Sequence, residues 1–245
     1  MSCAIYPSSP HETPSHGLAG VRVRGVVSVR VEARDGRSRV CDLRERDGYK
    51  VRFPRRADPP EAVIINTGGG LASGDDIDQA FHIGDNAALA VTTQASERSY
   101  RNVDGATTHL NVTANVGHDA SLVWLPQETI LFDQTRLSRS IAVDLAVSSR
   151  ALLAETVVFG RIAMGETMQS GRFADKWRIR RGNELVFAEN IKLHDETFQA
   201  MTRAAISGGT HVATTLVYVV EHAHDLLERA RSVIADVPFL CAASA

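Results

Sequence analysis

Alternation is the feature that most constrains what this chain can become. Val21, Val23, Val27, Val29 and Val31 alternate with Arg22, Arg24, Ser28 and Arg30. A period of two gives a strand one apolar and one polar face. Short apolar or alternating runs return at Ala62–Ile65, Phe81–Ile83, Ala87–Thr93, Thr107–Ala114, Ala120–Leu125, Ile141–Val147, Ala151–Phe159, Arg172–Arg180, Leu185–Leu193 and Ala213–Val220. Asp35-Gly36, Asp47-Gly48, Gly84-Asp85, Asp104-Gly105 and Gly117-His118-Asp119 punctuate them. Turn signals at this density, roughly every ten to fifteen residues, predict a mainly β chain. Helix signals come late. Thr197–Ala205 predicts a short helix, and Leu226, Leu227, Ala230, Val233 and Ile234 fall on one helical face after Asp225, a candidate N-cap. No internal repeat, low-complexity tract or dividing linker is visible, so residues 19–245 read as a single domain. Residues 1–18, broken by Pro7, Pro10 and Pro14, read as a mobile tail in which His11 and His16 are solvated.

Composition narrows the function. Lys and Arg number 27 against 29 Asp and Glu, a formal charge of −2 over 245 residues, which excludes nucleic-acid binding by bulk charge. A local excess exists between Arg22 and Arg56, twelve basic side chains against five acidic. That stretch is either a docking face for an acidic partner or a solvated Arg-rich sheet face. Cys3, Cys41 and Cys241 form no C-x-x-C pair, so neither a disulfide framework nor a thiolate zinc site is expected. The amino terminus lacks the basic and apolar regions of a signal peptide, and the longest apolar run falls far short of the roughly 20 residues that span a bilayer. The expected setting is cytoplasmic and reducing, where the sequon Asn111-Val-Thr113 has no role.

The glycine cluster Gly68-Gly-Gly-Leu-Ala-Ser-Gly74 is not a phosphate loop: no Lys-Ser/Thr follows it, and Asp75-Asp-Ile-Asp78 would repel phosphate. It reads as a tight turn beside which Asp75 is held. No G-x-S-x-G elbow or H-E-x-x-H pair is present. His222 and His224, flanked by Glu221 and Asp225, are either weak metal ligands or a solvated helix entry. Glu128, Glu155, Glu166 and Glu189 lie in or beside apolar strands or tight turns. They either accept backbone N–H groups and pair with Arg161 or Arg172, or face a wet cavity and attract a divalent cation loosely.

Four ordered stretches carry a resemblance. They are Gly69-Gly-Leu-x-Ser-Gly-Asp75, Thr92-Thr-Gln-Ala-Ser-Glu-Arg-Ser-Tyr-Arg101, Trp124-Leu-Pro-Gln-Glu-Thr-Ile-Leu-Phe132 and Glu155…Phe159-Gly-Arg-x-Ala-x-Gly-Glu166. Together, from about residue 20 to about 235, they resemble the urease accessory protein UreD (UreH) family. The residues matching its motifs are Gly69, Gly70, Gly74, Tyr100, Arg101, Trp124, Gln127, Glu128, Gly160, Arg161 and Glu166. The resemblance implies a β-helix-like two-sheet scaffold with one or two helices near the carboxyl end, and a protein that is not an enzyme. It implies partners, namely UreF, UreG through UreF, and apo-urease. No cofactor is expected to stay bound, and nickel is expected in transit.

The family resemblance also implies an internal water-filled tunnel. Asp75, Glu155 and Glu189 match its acidic positions, and Thr93 and Ser96 match its lining. Cargo in transit needs weak stops, and spaced carboxylates with water exchange ions faster than thiolates or clustered imidazoles. Two departures stand out. Asn66-Thr67 occupies the place where many relatives show His-Pro-Pro, and the chain ends at Cys241-Ala-Ala-Ser-Ala245 where relatives continue with a Trp-x-Gly segment and a further strand. A truncated carboxyl end is the resulting expectation. The competing readings are an adaptor that bridges UreF and urease without an ion path, and a carboxylate-dependent hydrolase, against which the absent nucleophile and metal motifs argue.

Overall fold

A computed structural model of the chain describes residues 22–55, 57–203 and 206–245. The expected tail over 1–18 lies outside the described residues, as do Val21 and Arg56. Fifteen strands follow in order. They are β1 (Arg24–Arg34), β2 (Arg37–Arg46), β3 (Tyr49–Arg52), β4 (Glu61–Asn66), β5 (Asp76–Ile83), β6 (Ala88–Thr93), β7 (Glu97–Ser99), β8 (Thr108–Val116), β9 (Ser121–Trp124), β10 (Thr129–Leu131), β11 (Arg136–Leu145), β12 (Arg150–Phe159), β13 (Arg172–Arg181), β14 (Glu184–His194) and β15 (Val212–Val219). Helix α1 (Asp195–Ala200) precedes β15, and α2 (Leu227–Ile234) follows it. No helix among them is long and apolar enough to cross a membrane.

The strands form two sheets. One runs β14-β13-β11-β8-β5-β1-β2; in the other, β3, β4, β6, β9 and β12 are neighbours, β7 and β10 extend it beside β12, and β15 lies on the free edge of β12. Pairing is parallel from β1 through β5, β8 and β11 to β13, and from β4 through β6 and β9 to β12. The chain therefore crosses from sheet to sheet and returns one step further along, coiling like a solenoid. Equivalent residues stack in columns: Asp76 faces His109, His109 faces Ser138, and Ser138 faces Ala174. The coil is a structural repeat with no sequence repeat.

Alternation explains the core. Val27, Val29 and Val31 of β1, Ile77, Phe81 and Ile83 of β5, Leu110, Val112, Ala114 and Val116 of β8, and Leu137, Ile141, Val143 and Leu145 of β11 are buried on one inner face. Ala62, Ile64, Leu89, Val91, Leu122, Trp124, Ala151, Leu153, Val157 and Phe159 face them from the other sheet. Each full burial of such a side chain contributes about 1.5–3 kcal/mol. Phe81 meets Trp124 edge to face across the gap at 5.5 Å between ring centroids.

One end of the coil is closed by β2 and β3, where Glu45 Oε1 accepts the Val51 N–H at 2.6 Å. At the other end β14 and β15 are half covered. The helix expected over Thr197–Ala205 begins and ends earlier, as α1, with Phe198 buried against Phe159. Asp225 is not an N-cap. It lies in a single-turn 3₁₀ segment (Ala223–Leu226), Leu226 holds the cap position, and the Asp225 carboxylate faces His224 Nε2 at 2.9 Å. No residue of α2 is buried. The Arg-rich stretch pairs with acids of its own, as in Arg34–Glu32 and Arg46–Asp47, and with acids beyond it, as in Arg24–Asp76.

Candidate functional site

Residues of all four motif stretches meet at one corner of the coil. Leu71 is bonded across it on both sides: its carbonyl accepts the Tyr100 N–H, and its N–H donates to the Arg98 carbonyl. Tyr100 Oη–H donates to the Gly69 carbonyl at 2.8 Å. Gly70 packs so closely that a Cβ there would lie 2.6 Å from the Tyr100 ring and 2.7 Å from the Arg98 carbonyl. Tyr100 stands edge-on to Phe132, and the Arg161 guanidinium lies 4.4 Å from the Phe132 ring centroid. Arg161 pairs with Glu166 and holds its carboxyl below the usual carboxylate range. Gly160 turns the chain with φ +91°, and a Cβ there would lie 2.5 Å from the Glu166 carbonyl. Gln127 donates its N–H to Thr93 Oγ1, and the Glu128 carbonyl accepts the Glu97 N–H. The glycine cluster is thus a packing corner. Gly74 turns with φ +75°, and Arg101 is exposed.

Inside the coil the apolar phase is broken by polar side chains. Arg139 follows Leu137 on the inner face of β11 and is 2% exposed. Its guanidinium binds Asp175 of β13 bidentately, at 3.0 and 2.6 Å, and crosses to Glu155 of β12 in the other sheet. Trp124 Nε1 donates to Glu155 Oε1 at 2.7 Å, and Trp177 Nε1 to Asp175 Oδ2 at 3.1 Å. Burial pushes the Glu155 carboxyl up, against the opposing charge of Arg139. One arginine is shared by two buried acids, so the cluster carries less positive than negative charge when all three ionise.

A second polar group sits nearer the closed end. Asn66 Nδ2 donates to Glu97 Oε1 at 2.9 Å and to Tyr49 Oη at 3.1 Å, and Tyr49 Oη–H donates to Glu97 Oε2 at 3.2 Å. Burial, helped by the charge on Asp75, raises the Glu97 carboxyl to about 7. It also pushes the buried Tyr49 phenol up. Beside Glu97 lies a cavity of about 110 Å³ lined by Asn66, Gln79, Thr93, Ser96 and neighbours.

These groups form a seam along the axis. Glu97 pairs in register with Thr129, Thr129 Oγ1 lies 3.4 Å from Arg139 Nη1, Arg139 meets Glu155, and Glu155 is in register with Thr215, whose Oγ1–H donates to Glu189 at 3.3 Å. Of the residues expected on a tunnel, Thr93 and Ser96 share the cavity with Glu97. Asp75 lies at the near end, both carboxylate oxygens accepting backbone N–H groups, from Val23 at 2.9 Å and Ala72 at 2.7 Å. Glu155 is in the middle and Glu189 at the far end. The three acids are not brought together, and none lines the 110 Å³ cavity. No group of three or more His, Cys, Asp or Glu among the described residues could hold a metal ion; His222 and His224 are exposed, their rings 6.2 Å apart. Sequence reasoning missed Gln79, Arg139 and Asp175 and gave Glu97 no role. Phase alone marks three of them. Gln79 lies between Ile77 and Phe81, Arg139 between Leu137 and Ile141, and Asp175 between Phe173 and Trp177.

The family model described as UreD urease accessory protein matches residues 23–245. A urease accessory protein UreD of Methylorubrum populi is 40% identical over 241 residues, covering 96% of this chain and 80% of the relative. One from Rhodopseudomonas palustris is 43% identical, covering 91% and 80%, and one from Brucella abortus is 38% identical, covering 90% and 79%. With motif residues from four distant stretches packed into one corner and this likeness along nearly the whole sequence, the chain belongs to the UreD family of urease accessory proteins.

Proposed function

We propose that this chain is a non-enzymatic scaffold of urease maturation, acting in the cytoplasm with UreF, with UreG through UreF, and with apo-urease, and that nickel moves along its interior on the way to the urease site. The observation that carries the ion path is the polar seam from Glu97 through Glu155 to Glu189, which runs along the axis inside an otherwise apolar coil. Its donors are oxygens spaced rung by rung rather than clustered, which suits an ion that must move on. Asp75, Glu155 and Glu189 are the proposed acidic stops, with Thr93 and Ser96 lining the entrance. Co-purification with UreF and apo-urease, followed by nickel-dependent activation, tests the reading. Normal assembly and activation by Glu189→Ala and by a Thr93→Val/Ser96→Ala double variant would overturn the path.

A specific observation favours a second reading, the adaptor with no ion path. Asp75 accepts a backbone N–H at each carboxylate oxygen, and Glu155 is bound by Arg139 and Trp124. On that reading the seam is structural, and any variant that lowers activation lowers assembly in parallel.

A further inference from the structure

Gln79 projects from β5 into the interior and is 6% exposed, yet its side-chain Oε1 has no hydrogen-bond partner among the described residues. A buried carbonyl oxygen without a donor is costly, and a native fold retains one where something else fills the role. Gln79 lines the same cavity as Glu97. The cavity, about 110 Å³, has room for an ion and a few waters, each water taking roughly 30 Å³ of liquid volume. Tyr49 and Asn66 donate one bond to each Glu97 oxygen and hold the carboxylate in place, leaving further lone pairs available. The charged and titratable groups around Glu97 are Tyr49 from β3, Asp75 from the glycine turn and the neighbouring Arg98.

We propose that this cavity is a transient binding site for a hydrated divalent cation, ligated by the Glu97 carboxylate and Gln79 Oε1 with water completing the shell. An orphan carbonyl oxygen and a positioned carboxylate on residues lining one small cavity are what a hard or borderline dication recruits, and one carboxylate with neutral oxygens binds it weakly. The inference rests on the ion-path reading and adds a stop at the end of the seam where the interior opens into a cavity.

The test is titration of the full chain with Mn²⁺ alone and with Ni²⁺ alone, followed calorimetrically. Glu97→Gln should weaken binding at least tenfold. Gln79→Leu should weaken it several-fold, and Gln79→Glu, which adds a charge to the same cavity, should tighten it about tenfold. Circular dichroism confirms that each variant is folded, and a strengthening by Gln79→Glu is an effect that mere packing damage does not produce. Equal affinity in the wild type and all three variants, or weaker binding by Gln79→Glu, would overturn the site. Urease activation by the wild type separates the two readings. Activation with no cation bound at the cavity removes this site and leaves the path, whereas cation binding without nickel-dependent activation removes the path and leaves the site.

Discussion

Replacing Glu155 by Ala takes away two interactions that join the sheets. The Arg139 guanidinium loses one of its two carboxylates while remaining 2% exposed, and Trp124 Nε1 loses its acceptor. Breaking one side of a buried pair costs about 3–5 kcal/mol. The bidentate Asp175 contact keeps Arg139 from being wholly orphaned and holds the cost toward the lower half. At about 2–4 °C per kcal/mol for a chain of this size, a cost of about 3–4 kcal/mol should lower the melting temperature by roughly 6–16 °C. Glu155→Gln keeps one acceptor oxygen and the side-chain volume, so one donor rather than two goes unmet, at about 1–3 kcal/mol. Thermal unfolding followed by far-ultraviolet circular dichroism reads both variants, and pull-down with UreF on the same samples reads assembly. The order should be wild type, then Gln, then Ala. A Glu155→Ala protein melting within 2 °C of wild type would refute the account of the seam as a fold-holding cluster. The size of the effect also means that lost activation by Glu155→Ala says nothing about an ion path.

Glu189 is the cleaner probe: it is half buried and its carboxylate accepts one 3.3 Å bond, so Glu189→Ala should change stability by no more than about 0.5 kcal/mol while lowering nickel-dependent activation; a melting shift that tracks the activation loss would count against it. Gly160→Ala places a Cβ 2.5 Å from the Glu166 carbonyl at φ +91°, and should cost about 1–3 kcal/mol, checked by urea unfolding. Tyr100→Phe removes the bond to the Gly69 carbonyl and should cost about 0.5–1.5 kcal/mol in the same assay. Glu97 titrates near 7 in the folded chain against an ordinary 4.5, so the folded state holds the extra proton between these values and stability falls as pH rises through that window. Glu97→Gln should flatten this slope in melts between pH 5 and 8 without added metal, and an unchanged slope would refute it.

Much of the strand content was legible because burial writes itself into a two-residue period. Val27, Val29 and Val31 announce both a strand and the face it buries. The partner of each strand was not legible. Parallel neighbours lie a whole coil apart, as Asp76 and His109 do, and nothing local encodes that distance. Helix ends were misjudged by a few residues at α1 and by one at α2, where Asp225 pairs with His224 instead of capping. The seam was half legible. Glu155 draws notice as an acid in an apolar strand, but Arg139 looks like one more surface arginine until the alternation is followed through Leu137 and Ile141. The cavity at Glu97 needs four strands and two turns to converge, which no single stretch reveals.

The coiled ladder also bears on how the chain matures. β1 must wait for β5, whose pairing begins with Arg24 against Asp76, before its second edge is covered. From there each newly made strand lands on an edge already exposed by the one before. Each rung can therefore template the next, an order compatible with the amino-to-carboxyl emergence of a polypeptide from the ribosome. At every intermediate length the last finished strand presents open backbone groups and half of an apolar layer. A translational pause after β12 leaves such an edge at Ala151–Val158, the one that β15 later covers, available to any other strand in reach.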